Sequence, residues 1–142
     1  MSTFPEQFQA LREQYFDPLR NRLCLVAERS TQAASSGFAT VSAAAGSVRV
    51  HFESDRGLCC FLLGFAEDER DFCSVETIAE RFPRIRLLPE GQQRLSLQEQ
   101  ASFLCDHWDD LQVMFSPNHA RETRAWRDAQ AKAYTQRFTR ET

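Results

Sequence analysis

The sequence predicts a single α+β domain in which an N-terminal helix, a four-stranded antiparallel meander and three further helices follow one another. Three observations predict this fold. The chain has 142 residues, the length of one ordinary domain. Short apolar or alternating runs separated by turn residues fill residues 23–65, and longer runs with helical spacing lie on both sides of them. This order of elements favours one layer of helices on one antiparallel sheet.

Residues 1–20 predict the N-terminal helix. Thr3 is placed to cap it, Pro5 fits the first turn, and Glu6 stands three residues after the cap. Apolar residues recur at helical spacing as far as Leu19. We expect Asp17–Pro18 to kink or restart the helix, because proline lacks the N–H that a helix interior needs.

From Leu23 the apolar pattern shortens, which predicts a four-stranded antiparallel meander within residues 23–65. Serine, glycine and aspartate separate the runs, and these residues favour tight turns. The turn at residues 55–57 carries the clearest hairpin signal. The predicted strands cover residues 23–27, 38–41, 47–52 and 58–63.

Two helices are predicted next, over residues 74–82 and 96–115. Ser74 is placed to cap the first of them. Ser96 and Glu99 have the spacing of a capping box at the start of the second. The apolar residues of this second helix are spaced by four and three, so we expect them to be buried: Leu97, Ala101, Leu104, Trp108, Leu111 and Phe115.

The last predicted helix covers residues 117–140. Ser116–Pro117 repeats the signal of a cap followed by proline. One side of this helix carries apolar residues, and its other residues are strongly basic. The apolar residues are Trp126, Ala129, Ala133, Tyr134 and Phe138.

Charge is distributed unevenly along a chain whose net charge is −3. Residues 66–115 carry eleven acidic and five basic side chains, whereas residues 117–142 carry three acidic and six basic ones. An acidic middle indicates a basic partner rather than a particular fold. Nucleic acid is a less favoured partner, because the domain as a whole lacks the high pI that phosphate binding requires.

The cysteines and the chain's first residues indicate a cytoplasmic protein. Five cysteines without a Cys-x-x-Cys pair argue against a disulfide framework and against a paired zinc site. The first residues lack the basic and apolar regions of a secretory signal, and no apolar stretch has the length of a membrane span. We therefore expect reduced thiols, no metal, no cofactor and no membrane association.

Catalytic chemistry remains open as an alternative. The five glycines form neither a phosphate-binding loop nor a dinucleotide fingerprint. A cysteine-dependent hydrolase or transferase would need a thiolate near a base, and Cys73, just before the cap at Ser74, is the best placed candidate. A metal site at His107 would need Cys105 and Asp109, which point in different directions on a helix.

Part of the chain resembles a known group of small bacterial proteins. The resemblance is carried by the run 48–63, the acidic loop after it, the short helix before Pro83, and residues 95–104 with Trp108–Asp109 and Phe115–Ser116. The proteins of this group are built of a β-meander and helices, and some of them are suspected immunity proteins of interbacterial toxins. The resemblance covers residues 20–116 and implies a fold and a role in binding a cognate toxin in the cytosol. It carries no catalytic residue to any position here. An adaptor or chaperone-like partner protein fits the same features.

The outward face of the helix over residues 96–115 is the predicted partner-binding site. At about 100° per residue, its carboxylates fall opposite the apolar stripe. An acidic face of this kind would suit the basic active site of a toxin. Met114 flanks this face, and the alternative is that Phe103 and Met114 pack beneath a neighbouring element and leave an ordinary solvated face. The predicted site residues are Glu99, Phe103, Asp106, Asp109, Asp110 and Val113.

Overall fold

A computed structural model describes residues 3–68, 72–79 and 95–141, with side chains up to residue 132 other than that of Ala34. It has an α+β architecture with helices before and after an antiparallel sheet of five strands. The helices are α1 (Phe4–Leu11), α2 (Asp17–Leu23), α3 (Val75–Ala79), α4 (Leu97–Asp106), α5 (Trp108–Met114) and α6 (Ala120–Glu141). The strands are β1 (Val26–Ala33), β2 (Phe38–Ala45), β3 (Val48–Asp55), β4 (Leu58–Phe65) and β5 (Phe72–Ser74).

The N-terminal helix begins as its sequence predicts and extends further. The side-chain oxygen of Thr3 accepts from the N–H of Glu6, and the Glu6 carboxylate accepts from the N–H of Thr3. A π-helical turn over Arg12–Phe16 leads into α2, so the disturbance expected before Pro18 is a local change of helix type. The helix was expected to end at residue 20, but it continues to Leu23.

The first predicted strand, residues 23–27, is wrong in position. Leu23 closes α2, and Cys24 adopts a left-handed conformation with φ of 56° while its N–H donates to the last carbonyls of the helix. The strand starts at Val26 and runs to Ala33. Its side chains are exposed on both sides up to Gln32, so it lacks the alternation of apolar residues that marks a half-buried strand.

The sheet is a meander with the order β1-β2-β3-β4-β5, antiparallel throughout. The prediction of four strands omitted β5, which pairs with β4 only between Leu62 and Gly64. Three residues are too few to show a period in the sequence. The expected turn at residues 55–57 is present, with positive φ at Arg56 and Gly57.

One face of the sheet carries the core. Register places Val41, Phe52 and Phe61 side by side on three adjacent strands, and all three are fully buried. Phe8 of α1 stacks on Phe52 with 5.8 Å between ring centroids. Leu104 of α4 is buried in the same cluster, so helices from both ends of the chain cover this face.

The helix predicted over residues 96–115 is interrupted. Its capping box is present, because Ser96 and Glu99 exchange both hydrogen bonds, but His107 leaves helical geometry with φ of −115° and separates α4 from α5. The expected stripe does face the core. Leu104, Leu111 and Phe115 are buried, and Leu97, Ala101 and Trp108 are half-buried against the same cluster.

Gln112 accounts for the position of α5 after this break. Its Oε1 accepts from the N–H of Ser47 at 2.9 Å, and its Nε2 donates to the carbonyl of Ala45 at 2.8 Å. The Gly46 between them has φ of +59°, and a Cβ there would collide with the Gln112 side chain. One helical side chain thus holds the turn between β2 and β3.

The two remaining helices begin near their predicted starts. Ser74 caps α3 by accepting from the N–H of Thr77, and the predicted residues 80–82 lie outside the described part. The last helix starts at Ala120, because residues 116–119 form a turn. Trp126 is half-buried against the core as expected, but Ala129 is exposed. The side chains of Ala133, Tyr134 and Phe138 are outside the described set.

Candidate partner-binding surface

The acidic surface predicted from the sequence lies on the exposed side of α4 and α5. We use this name for Glu99, Asp106, Asp109, Asp110 and Val113, all of which are exposed. Val113, which is 55% exposed, is the apolar member of this face. The buried stripe on the other side of the helices fixes which side chains face outward. The sequence prediction that these five residues face solvent is therefore met.

Phe103 is the sequence-predicted site residue that the structure places elsewhere. It is only 5% exposed and belongs to the core cluster, with its ring centroid 4.8 Å from that of His107. Met114 is half-buried against the same cluster. For these two residues the alternative interpretation, packing beneath a neighbouring element, is the one observed. Phe103 supports the surface from below and is not an exposed anchor.

The carboxylates of the acidic surface differ in what holds them. Glu99 accepts hydrogen bonds from the backbone N–H of Ser96, which lowers its pKa and keeps it ionised. Asp110 lies 3.9 Å from Nδ1 of His107. Among the described side chains, which lie within residues 3–68, 72–79 and 95–132, no arginine or lysine comes within salt-bridge distance of Asp106 or Asp109. Both side chains are exposed, so their negative charge faces solvent.

The α4 part of the surface also borders a shallow depression of about 260 Å³. Glu99 and Asp106 lie along it, and the edge of Phe103 contributes to its floor. Three of the six predicted site residues therefore meet at one concave feature.

Three of the five cysteines lie in strands β4 and β5, and the other two, Cys24 and Cys105, lie at the end of α2 and within α4. Cys73 is 9% exposed within β5, so the thiol ranked first for nucleophilic chemistry is largely inaccessible. Burial raises the pKa of the Cys105 thiol, which is opposite to what an activated nucleophile requires. All five cysteines are free thiols, and only Cys24 is classed as exposed.

The sheet face opposite the core holds a group of polar side chains that sequence reasoning missed. Arg49 is 3% exposed, and its guanidinium donates to the carbonyls of Ala66 and Ala27 and to Ser42 Oγ. Burial, then the charges of Arg49 and Arg29, lowers the pKa of the adjacent His51 to about 4. These side chains tie the edge strand β1 to the end of β4. The alternating polar residues of β3 were the available signal.

The described residues contain neither a cluster of metal ligands nor a helix that could span a membrane. There, no three histidine, cysteine or acidic side chains converge as metal ligands would. None of the helices in that part of the chain has both the length and the apolar character of a bilayer span.

A cleft of about 740 Å³ at one end of the sheet is a second feature that the sequence did not predict. It is formed where the turn between β2 and β3, the end of β4 and the start of α6 meet. Arg124 and Asp68 pair across its rim at 3.1 Å, although they are 56 residues apart. The acidic loop and the basic last helix were both visible in the sequence, but their pairing was not.

Comparison with known proteins returned no match among protein-family models, curated proteins or solved structures.

Proposed function

We propose that this chain is a non-catalytic protein-binding domain whose acidic surface meets a basic partner. In its most specific form, the proposal is an immunity protein that binds a cognate bacterial toxin in the cytoplasm and blocks its active site. The observation that carries it is the outward-facing set of Glu99, Asp106, Asp109 and Asp110 around the exposed Val113. A polar rim with a small apolar centre is typical of a protein interface.

Physical chemistry assigns a role to each part of this surface. Carboxylates that face solvent attract a basic partner over a distance of about one Debye length, ~8–10 Å at ordinary salt. Such steering raises association rates more than it raises the final affinity. Val113 offers apolar area that association would remove from water. The same charges repel phosphates, so they disfavour nucleic acid as the partner.

The proposal is tested by charge reversal on the acidic surface. The chain is co-expressed with the product of the adjacent gene, and association is measured by co-purification and by titration at two salt concentrations. Asp106→Lys with Asp110→Lys is expected to weaken binding at low salt by at least about tenfold, with a smaller salt dependence, because opposite charges are replaced by like charges. The melting temperature should hardly change, since both side chains are exposed.

A matched control makes the same change of charge elsewhere. Asp55 and Asp128 are exposed acids on β3 and α6, and reversing both to lysine should weaken binding much less. Tight binding by the Asp106, Asp110 double variant at low salt would exclude this surface as the interface.

Growth protection against the partner's toxicity separates the general proposal from the specific one. Binding without protection would retain the binding domain and reject the immunity role.

A further inference from the structure

The cleft at the end of the sheet has the dimensions and lining of a ligand site. Its volume of about 740 Å³ falls in the range of about 300–1,000 Å³ that is usual for such sites. Four separate segments of the chain contribute to it, and its floor is aromatic. Phe65 and Phe115 meet there edge to face with 5.0 Å between ring centroids.

The polar groups around this cleft favour a cation. Among the described residues that line the cleft, two carboxylates, Glu67 and Asp68, oppose one guanidinium, that of Arg124, which gives these residues a net charge of −1. Arg124 is already paired with Asp68, whereas no arginine or lysine among the described residues lies within salt-bridge distance of Glu67. Ser47 also lines the cleft, but its N–H and its hydroxyl both donate to Gln112. The donors of Ser47 are thus taken and the Arg124 guanidinium is held by Asp68, so this rim favours a cation over an anion.

Arg124 itself shows how a guanidinium fits this environment. Its Cζ lies 3.9 Å from the centroid of the Phe65 ring, and its Nη1 is 3.1 Å from Oδ2 of Asp68. The cation thus stacks on an aromatic face and pairs with a carboxylate at the same time. A second cation with an apolar stem would find Phe115, Pro117 and Ala120 for the stem and Glu67 for the charge.

We propose that this cleft binds an amphipathic organic cation, namely a guanidinium or primary ammonium on an apolar stem. The site is separate from the acidic surface of α4 and α5 and does not depend on the function proposed for that surface. The ligand is either a free amine or the side chain of a basic residue, and these share the chemistry that the cleft recognises.

The test is an NMR titration of the full chain with butylguanidine, using butylurea as the neutral analogue of the same shape. Butylguanidine should shift the amide resonances of Gly46, Ser47 and Glu67, and butylurea should not. Glu67→Gln should weaken butylguanidine binding by about two- to fivefold, the size expected for one partly exposed ion pair. Asp55→Asn removes the same charge at the far end of β3, outside the cleft, and should leave binding unchanged.

A second variant, Arg124→Ala, should strengthen binding where Glu67→Gln weakens it. A general disturbance of the structure would not explain both results. Arg124→Ala removes the guanidinium from Phe65 and leaves Asp68 without this partner, so butylguanidine should bind it more tightly than the original chain and raise its melting temperature more. Equal binding of butylurea, no effect of Glu67→Gln, or weaker binding to the Arg124→Ala variant would each overturn the proposal. Agmatine and N-acetylarginine N-methylamide then separate the two sources: binding of only the first supports a free amine, and binding of the second supports a protein side chain.

Discussion

Two glutamines show how single polar side chains determine where the helices sit on the sheet. Gln100 is buried on α4, accepts from the N–H of Phe61 at 2.8 Å and donates to the carbonyl of Leu95. Phe61 lies just beyond the pairing of β4 with β5, so its N–H has no strand partner on that side. Gln112 does the same for the turn between β2 and β3. Amide side chains are suited to this because each both donates and accepts.

The first prediction concerns Gln112. Gln112→Ala leaves the N–H of Ser47 and the carbonyl of Ala45 without their helical partner, and we expect a loss of about 1–3 kcal/mol in the free energy of unfolding. Urea denaturation measures it. Gln98→Ala, which changes an exposed glutamine on α4, should cost less than about 0.5 kcal/mol. Equal effects of the two substitutions would contradict the role given to Gln112.

The second prediction concerns pH. The pKa of His51 is lowered from 6.5 to about 4 in the fold, so between these values the unfolded chain binds more protons than the folded one. The contribution of neutral His51 to the free energy of unfolding should therefore be complete above about pH 6.5 and should be lost as the pH is lowered towards 4. Burial raises the pKa of Glu53, so this carboxyl changes stability with pH in the opposite direction. Glu53 is present both in the original chain and in a variant that lacks His51, so a comparison of the two isolates the effect of His51.

The measurement is the melting temperature at about pH 7 and pH 5 for the original chain and for His51→Gln. The original should lose more stability over this interval than the variant. A variant that loses as much would show that His51 is not the group responsible.

At the scale of elements, the predictability of the fold depended on burial and on caps. The capping boxes at Thr3 and Ser96 were readable because each needs only residues three apart. The strands β2, β3 and β4 were readable because their core-facing residues are apolar. The edge strand β1 was misplaced because its side chains up to Gln32 are solvent-exposed, and nothing in its sequence required an apolar residue at alternate positions.

The candidate site was predictable to a similar extent. Helical periodicity correctly placed the carboxylates of α4 and α5 opposite the core. It could not place Phe103, because that residue lies at the margin of the apolar stripe and its burial depends on which neighbours cover it. The pairing of Arg124 with Asp68 joins residues 56 positions apart, and no local pattern reports such a contact.

The third prediction compares two residues of the interrupted helix. Leu104 is fully buried, so Leu104→Ala should destabilise the fold by about 2–5 kcal/mol through lost burial and the cavity left behind. Trp108 is only half-buried, so Trp108→Ala should cost less than the ~3–5 kcal/mol typical of a fully buried tryptophan. Thermal and urea unfolding measure both. A larger loss for Trp108→Ala than for Leu104→Ala would show that α5 packs more deeply than described.

At the scale of the whole molecule, the five cysteines range from exposed to buried, so their rates of modification test the placement of several elements. The fourth prediction is that iodoacetamide modifies Cys24 first, because it is exposed at the end of α2, and Cys73 last, because it is buried in β5. Cys105 should react slowly, since burial raises the pKa of its thiol. Mass spectrometry of timed samples gives the order. Five thiols should react after denaturation, and equal rates for Cys24 and Cys73 in the native protein would refute the placement of β5.

The charge of the molecule is likewise organised in space. Glu28 of β1 receives hydrogen bonds from Arg12 at 2.6 Å and Arg20 at 2.7 Å, so these charges hold the edge strand to the N-terminal helices. The pKa of Glu28 is lowered by the hydrogen bond from Arg12, and the carboxylate stays ionised. Carboxylates at this end are thus used for cohesion, whereas Asp106 and Asp109 are directed outward.

The meander has a consequence for the order in which the chain assembles. Each pairing from β1 to β4 joins two strands that are consecutive in the sequence, so these hairpins close only short loops and can form before the distant helices pack. The bond between Ser47 and Gln112 spans 65 residues and closes a much longer loop. We therefore expect it to form after the sheet, when α5 packs against β2 and β3. Loss of the Gln112 side chain should accordingly accelerate unfolding and leave the folding rate nearly unchanged.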